Sequence, residues 1–284
     1  MRVQPGDGGR NPEVRSRHCS PPAAGEVGGR GAGPGACATV LGMEKGTVAV
    51  VTGGSRGIGA AFVLEAVRRG HRVVFTYRSR RGDAERVVAE ARTLGGAAVP
   101  IQADLAEFGA AAAIAAAARA EGRVALLVNN AGLGEEFRLQ DVTREAWERV
   151  VAVNLTSPTF LIKELREDLV ATKGSIVNVS SDGGVAGSLH GAPYGATKAG
   201  IIGLTKTIAR ELAPDVRCNA IAPGPVATEM WAAIDPETQR QVTEREVLLK
   251  RIAQPADIAR AGLDLASWPD ATGIVAVLDG GRIM

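Results

Sequence analysis

Residues 52–59 read TGGSRGIG. The stretch follows a short apolar run, TVAVVT (47–52), and opens a segment of helical composition that extends to about Arg69. Glycines at 53, 57 and 59 let the backbone turn tightly and approach other groups closely. A helix opening out of such a turn presents unpaired N–H groups and a partial positive charge, which suits a phosphate. The spacing G-x-x-x-G-x-G differs from the G-x-G-x-x-G of most dinucleotide folds, and a glycine-rich turn without a ligand is the plainer reading.

The surroundings of the turn decide the fold. Further apolar runs recur along the chain: RVVFTY (72–77), AAVPIQA (97–103), VALLVNN (124–130), GSIVNVS (174–180), VRCNAIA (216–222) and GIVAVLD (273–279). Several are nearly continuous in Val, Ile and Leu, as in strands buried on both faces of a parallel sheet. The segments between them have helical composition, including the alanine-rich AEFGAAAAIAAAARAEG (106–122). Alternating β and α elements predict an α/β fold of the Rossmann type. It is a doubly wound, seven-stranded parallel sheet with helices on both faces, with its ligand outside the carboxyl ends of the strands.

The rest of the composition sets bounds. Residues 1–42 hold ten Gly and five Pro without hydrophobic period, so they are read as a disordered N-terminal extension and 43–284 as a single domain. A start upstream of Met43 or a transit peptide are the other accounts of that segment. With 4% aromatic residues, the core must be filled by Ala, Val, Ile and Leu. A net charge of +2 gives no reason to expect a nucleic acid or membrane partner. No apolar run reaches the roughly 18 residues of a membrane span. Three cysteines, Cys19, Cys37 and Cys218, point to reduced thiols and a cytoplasmic setting. Cys218 reads as core packing, and no metal is expected.

The charge in the glycine turn finds company at the end of the second run. That run ends Thr76-Tyr77-Arg78-Ser79-Arg80-Arg81, with no carboxylate before Asp83. A dinucleotide fold selective for NAD usually places an acidic residue there for the ribose hydroxyls. Arg56 and Arg78 could instead converge on a 2′-phosphate, which guanidinium groups fit well. NADP(H) is therefore favoured over NAD(H), against the plainer reading of a solvated arginine cluster.

Tyr194 and Lys198 stand four apart in APYGATK (192–198), on one face if the segment is helical. A phenol with a reference pKa near ~10 is a poor proton donor at neutral pH, and a nearby ammonium would lower that value. By itself the spacing is common, and a surface pair is its ordinary explanation.

Seven motifs in order change those odds: TGGSRGIG, NNAG (129–132), Asn154 in VNL, Ser181 thirteen residues before Tyr194, Tyr194-x-x-x-Lys198, PGPVAT (223–228) and DGG (279–281). Over about 46–281 the chain resembles the short-chain dehydrogenase/reductase family, most nearly 3-oxoacyl-[acyl-carrier-protein] reductases and related NADPH-dependent carbonyl reductases. The resemblance implies roles. Tyr194 would donate a proton to the substrate carbonyl as hydride arrives, and Lys198 would lower the tyrosine pKa and hold the nicotinamide ribose. Ser181, preferred to Ser180 by family spacing, would bind the substrate oxygen, and Asn154 would hold a water feeding protons to Lys198. Gly53, Ser55, Gly57, Ile58 and Gly59 would wrap the diphosphate, with Arg56 beside them. Asp104 and Leu105 would border the adenine, Asn130 and Gly132 the ribose, and Val226 and Thr228 the nicotinamide carboxamide or the phosphates. Asp104 reads equally as a helix cap, and NNAG as a strand-end turn. His190 is read as lining the substrate mouth or facing solvent.

The same resemblance places the substrate pocket between Leu133–Phe137, the 182–193 loop and a lid from Pro225 to about Leu249 that includes Met230, Trp231 and Ile234. Two basic positions that receive the acidic carrier in acyl-carrier-protein reductases fall here on Asp215 and about Thr172, beside Lys173, a departure that puts such docking in doubt. A homotetramer joined through about 143–171, 191–213 and 256–284 is implied, as is a small-molecule carbonyl or alcohol substrate. Oxidation of a sugar or other secondary alcohol is the alternative activity. A non-catalytic dinucleotide-binding sensor is the alternative from another class.

Overall fold

The computed structural model describes residues 46–134, 138–188 and 190–284. The expectation of a disordered 1–42 segment lies outside the described residues, as do positions 135–137 and 189 of the expected substrate pocket.

The seven expected strands form one parallel sheet. They are β1 (Val48–Val51), β2 (Arg72–Tyr77), β3 (Ala98–Gln102), β4 (Val124–Asn129), β5 (Ser175–Val179), β6 (Arg217–Pro223) and β7 (Val275–Leu278). Their order is β3-β2-β1-β4-β5-β6-β7, and every pairing is parallel. The chain winds outward from β1 through β3, then crosses back to lay β4 on the other side of β1. A crevice opens at that switch point.

The continuous apolar runs have a direct cause. In β1, Ala49 and Val51 pack into one face of the sheet while Val48 and Val50 pack into the other. A strand covered on both sides has no solvent face on which to alternate polar residues. One layer holds α1 (Gly57–Arg68), α2 (Arg81–Thr93) and α10 (Pro255–Ser267), packed through Phe62, Val63, Val87 and Leu263. The other holds α3 (Ala110–Glu121), α5 (Ser157–Thr172) and α7 (Ala192–Leu212), packed through Ile114, Leu161, Leu165 and Leu169. The alanine-rich α3 buries Ala111, Ile114, Ala115 and Ala118, a stripe at helical spacing narrow enough to sit close against the sheet. Cys218 is buried in this second layer, and burial pushes its thiol up to about 12, as expected of a packing residue.

Two departures from regular helix matter for the site. Between α4 (Arg144–Val151) and α5 the chain makes a π-helical turn over Ala152–Thr156 that contains Asn154. Pro158, in the first turn of α5, has no N–H to give the carbonyl of Asn154, four residues before it. After β6 the chain breaks into short pieces: α8 (Glu229–Ala232), α9 (Pro236–Gln241) and a second π-helical turn, Val242–Glu246. The four-residue α6 (Gly183–Ala186) follows β5.

Candidate active site

A cleft of about 1270 Å³ lies along the carboxyl ends of the strands. Each strand from β1 to β6 contributes the residues that follow it, from Gly53 and Asn130 near the centre to Arg78, Asp104, Ser181 and Pro225. Every site residue expected from the sequence except Asn154 lines this cleft. Asn154 lies just behind it.

The glycine turn runs directly into α1. Gly53 and Gly57 adopt φ of +66° and +53°, which disfavours any side chain. A Cβ on Gly59 would lie 2.1 Å from the carbonyl oxygen of Gly53 and 2.5 Å from Asn130 Nδ2. Asn130 holds the turn: its Nδ2 donates to the carbonyls of Thr52 and Gly53, while its N–H donates to Thr52 Oγ1. NNAG is thus a clamp from the end of β4 onto the loop after β1, fixing the backbone that α1 begins from.

Arginines gather at the β2 end. Arg56 Nη1 contacts Glu229 Oε2 at 2.5 Å, and Arg80 Nη1 reaches the same carboxylate at 2.8 and 3.0 Å. Arg78 lines the same end of the cleft, and Arg80 joins Arg56 on Glu229. The RSRR run supplies both Arg78 and Arg80. Glu229 had no sequence signal, because its partners lie far away along the chain. Thr228 caps α8 by accepting from Trp231 N, and its Cγ2 lies 3.3 Å from where a Cβ of Gly57 would be. The start of α8 therefore packs against the glycine turn.

Asp104 has both carboxylate oxygens engaged. Oδ1 accepts from Ala106 N at 3.0 Å and Oδ2 from Arg149 Nη2 at 2.8 Å. The backbone bond to Ala106 and then the one to Arg149 hold its carboxyl below the usual range. It closes its own turn and does not cap α3, whose N-cap is Gly109.

The second half of the site lies on β5 and α7. Tyr194 and Lys198 are both buried on the inner face of α7, and Lys198 Nζ lies 5.6 Å from the centre of the Tyr194 ring. Nζ donates to the carbonyl of Val179 at 2.8 Å. Ser180 Oγ donates to the main-chain carbonyl of Lys198, so Ser180 anchors the helix. Ser181 is the serine that stands beside the Tyr194 hydroxyl, close enough to favour its ionised form. The side chain of Asn154 is wholly committed: Oδ1 accepts from Leu133 N, and Nδ2 donates to Leu133 O and Thr197 Oγ1. A Cβ on Gly132 would come within 3.3 Å of Lys198 Nζ and 3.5 Å of Asn154 Oδ1, which brings the NNAG turn onto the same cluster. His190 packs edge-on against Tyr194, ring centres 5.4 Å apart.

The electrostatics correct one expectation. Burial pushes the Tyr194 hydroxyl above its ordinary value; the Ser181 hydroxyl opposes this and the charge of Asp182 adds to it. Lys198, also buried, is itself pushed down to about 8. The net shift of the phenol is upward and not the expected lowering, because both groups share a volume that disfavours charge.

The residues present fit a nicotinamide dinucleotide. Gly53, Gly57 and Gly59 leave backbone open to the cleft where α1 begins, cationic side chains cluster at the β2 end, and a buried polar set faces the other end. Fold and cleft together define a dinucleotide-binding α/β protein. The sequence signature described as short chain dehydrogenase matches residues 47–239. A 3-oxoacyl-[acyl-carrier-protein] reductase of Synechocystis is 37% identical over 84% of this chain and 97% of its own. An acetoacetyl-CoA reductase of Acinetobacter is 36% identical over 85% of this chain and 100% of its own. Among solved structures, a 3-oxoacyl (acyl-carrier-protein) reductase from Agrobacterium tumefaciens C58 with NADP bound superposes with a TM-score of 0.79 at 32% identity, covering 84% of this chain and 94% of that one. The chain belongs to the short-chain dehydrogenase/reductase family, oxidoreductases that act on CH–OH groups with a nicotinamide dinucleotide.

Proposed function

We propose that the protein reduces the carbonyl of a 3-oxoacyl-type substrate or related ketone to a secondary alcohol, using NADPH. The observation that carries this reading is the meeting of Ser181, Tyr194 and Lys198 on one wall of the cleft, across from the glycine turn. Bound NADPH would supply the hydride that adds to the carbonyl carbon.

The chain's own residues do the rest. Gly53, Ser55, Gly57, Ile58 and Gly59 would border the diphosphate, with Asp104, Leu105, Asn130, Gly132, Val226 and Thr228 along the remainder. Arg56, Arg78 and Arg80 supply the positive charge that favours a 2′-phosphate. Ser181 donates to the substrate oxygen and orients it. Tyr194 gives its proton to that oxygen as the C–O bond takes up the charge, and the tyrosinate left behind is stabilised by the nearby Lys198 ammonium. Desolvation keeps Tyr194 protonated until then, as a proton donor requires. With its side chain committed, Asn154 would hold a relay water through its main-chain carbonyl, the one Pro158 leaves without an i+4 donor.

The substrate class follows the relatives named above. Asp215 and Thr172, where carrier-protein reductases carry basic residues, favour a thioester or ketone that needs no acidic carrier. The domain is assigned to residues 43–284. Exposed apolar side chains on α4 and α5, Trp147 and Phe160, support association into an oligomer.

The test is loss of reduced-nicotinamide absorbance with a panel of 3-oxoacyl thioesters and ketones, run in the oxidative direction with sugars and secondary alcohols. Tyr194→Phe is expected to lower the rate about 10²–10⁴-fold. Equal rates in the two proteins would end the catalytic assignment. A protein that binds NADPH but turns over nothing in either direction would be the non-catalytic sensor.

A further inference from the structure

Behind the serine and tyrosine lies a charge network that none of the roles above uses. Arg282, past the end of β7, has its guanidinium forked between two carboxylates. Nη1 donates to Asp182 Oδ2 at 2.8 Å, and Nε donates to Glu246 Oε2 at 2.8 Å. These partners come from different parts of the fold, Asp182 from the turn after β5 and Glu246 from the π-helical turn below the lid. The placement is built into the backbone. Asp279 folds the tail by accepting from Gly281 N and Ile283 N, and Gly224 has no room for a Cβ against Asp279. Asp182 and Arg282 are both largely shielded, their side chains 8% and 19% exposed.

Asp182 touches the site directly. Its second oxygen, Oδ1, accepts from Ser181 Oγ at 3.0 Å and from Gly183 N at 2.6 Å. Ser181 in turn meets the Tyr194 hydroxyl. A line of contacts therefore runs from Glu246 through Arg282, Asp182 and Ser181 to Tyr194.

We propose that Arg282 is a positioning residue for Ser181 and Tyr194, holding the Asp182 carboxylate at the back of the loop and cancelling its charge as felt by the tyrosine hydroxyl. The role rests on the reading of Tyr194 as proton donor. An isolated carboxylate one residue from Ser181 would oppose formation of tyrosinate and would hold the serine proton away from the substrate. A guanidinium on its far oxygen turns that charge into a short dipole, whose field falls off much faster. The same fork ties the lid base to the catalytic loop through Glu246.

Among the described residues, the charged or titratable groups around Tyr194 are Lys198 on its own helix, His190 against its ring, Asp182 on the loop after β5, and Arg282 and Glu246 behind Asp182. Only the last three belong to the proposal, so variants of Arg282 and Asp182 isolate it.

The sequence supplies a direct readout. Tyrosine occurs only at 77 and 194. Fluorotyrosine incorporated into a Tyr77→Phe background therefore gives one fluorine NMR resonance, and its shift with pH reports Tyr194 ionisation without cofactor or turnover. Arg282→Met is expected to move the Tyr194 midpoint up by about one pH unit, a tenfold weakening of the acid. Asp182→Asn should move it down, and the double variant Arg282→Met/Asp182→Asn should return it close to the starting value. Arg282→Lys, which keeps charge but not the fork, should stay near the starting value even if the protein melts earlier. A purely structural role would not give opposite signs for the two single variants. If Arg282→Met fails to fold, the double variant and Arg282→Lys still decide the matter against Asp182→Asn. An unchanged midpoint in Arg282→Met, or an upward move in Asp182→Asn, overturns the proposal. The Tyr194→Phe rate measurement tests the reading beneath it separately.

Discussion

Lys198→Met should make the protein inactive and, at neutral pH, more stable. The lysine side chain is 4% exposed, and burial holds its pKa at about 8 where an exposed lysine has 10.5. At pH 7 the folded protein keeps the group charged against that preference, at a cost of about 3 kcal/mol. Methionine fills similar space without the charge. It also leaves the carbonyl of Val179 without the donor it has from Nζ, which costs about 1–3 kcal/mol. The net gain for the variant is about 1 kcal/mol at pH 7. The pH dependence is the sharper test. Because the folded pKa lies below the unfolded one, the unfolded chain binds more protons between the two values, so wild-type stability rises with pH across that window. From about pH 7 to about pH 9.5 wild type should gain about 2 kcal/mol on the variant. Urea unfolding of both proteins at the two pH values, with matched m-values, measures the gap while other titrating groups cancel. A gap that stays constant, or that widens in favour of the variant, would refute the claim that Lys198 is buried as a penalised charge.

Three further outcomes follow from the same geometry. Gly59→Ala forces a methyl group into the Gly53 carbonyl, so it should lower stability by about 1–3 kcal/mol or more, read as a drop in Tm of several degrees, and abolish nicotinamide fluorescence enhancement on titration. Arg78→Asp should weaken NADPH binding far more than NADH binding in paired titrations, and parallel weakening would place Arg78 away from the 2′-phosphate. Deleting residues 1–42 should leave Tm and activity unchanged, and loss of either would show that the domain needs that segment.

Much of this protein is legible in short stretches of sequence. The seven strands appear as apolar runs because parallel strands are covered on both faces, and the Val48/Val50 and Ala49/Val51 alternation into two cores bears that out. The glycine turn at 52–59 and the pair Tyr194 and Lys198 are local patterns, set by backbone conformation and helical spacing, so they survive in one dimension. What the tertiary structure alone decides is of two kinds. The first is pairing across the chain: Arg80 meets Arg56 on Glu229, and Arg282 reaches Asp182, contacts 149 and 100 residues apart that leave no periodic trace. The second is burial. Spacing placed an ammonium beside a phenol and implied a lowered tyrosine pKa, but the sign depends on the medium around both groups, and here a low-dielectric wall raises the tyrosine and depresses the lysine. Sequence sets which groups are neighbours along an element; only the packed volume sets how much water they keep, and with it their charge.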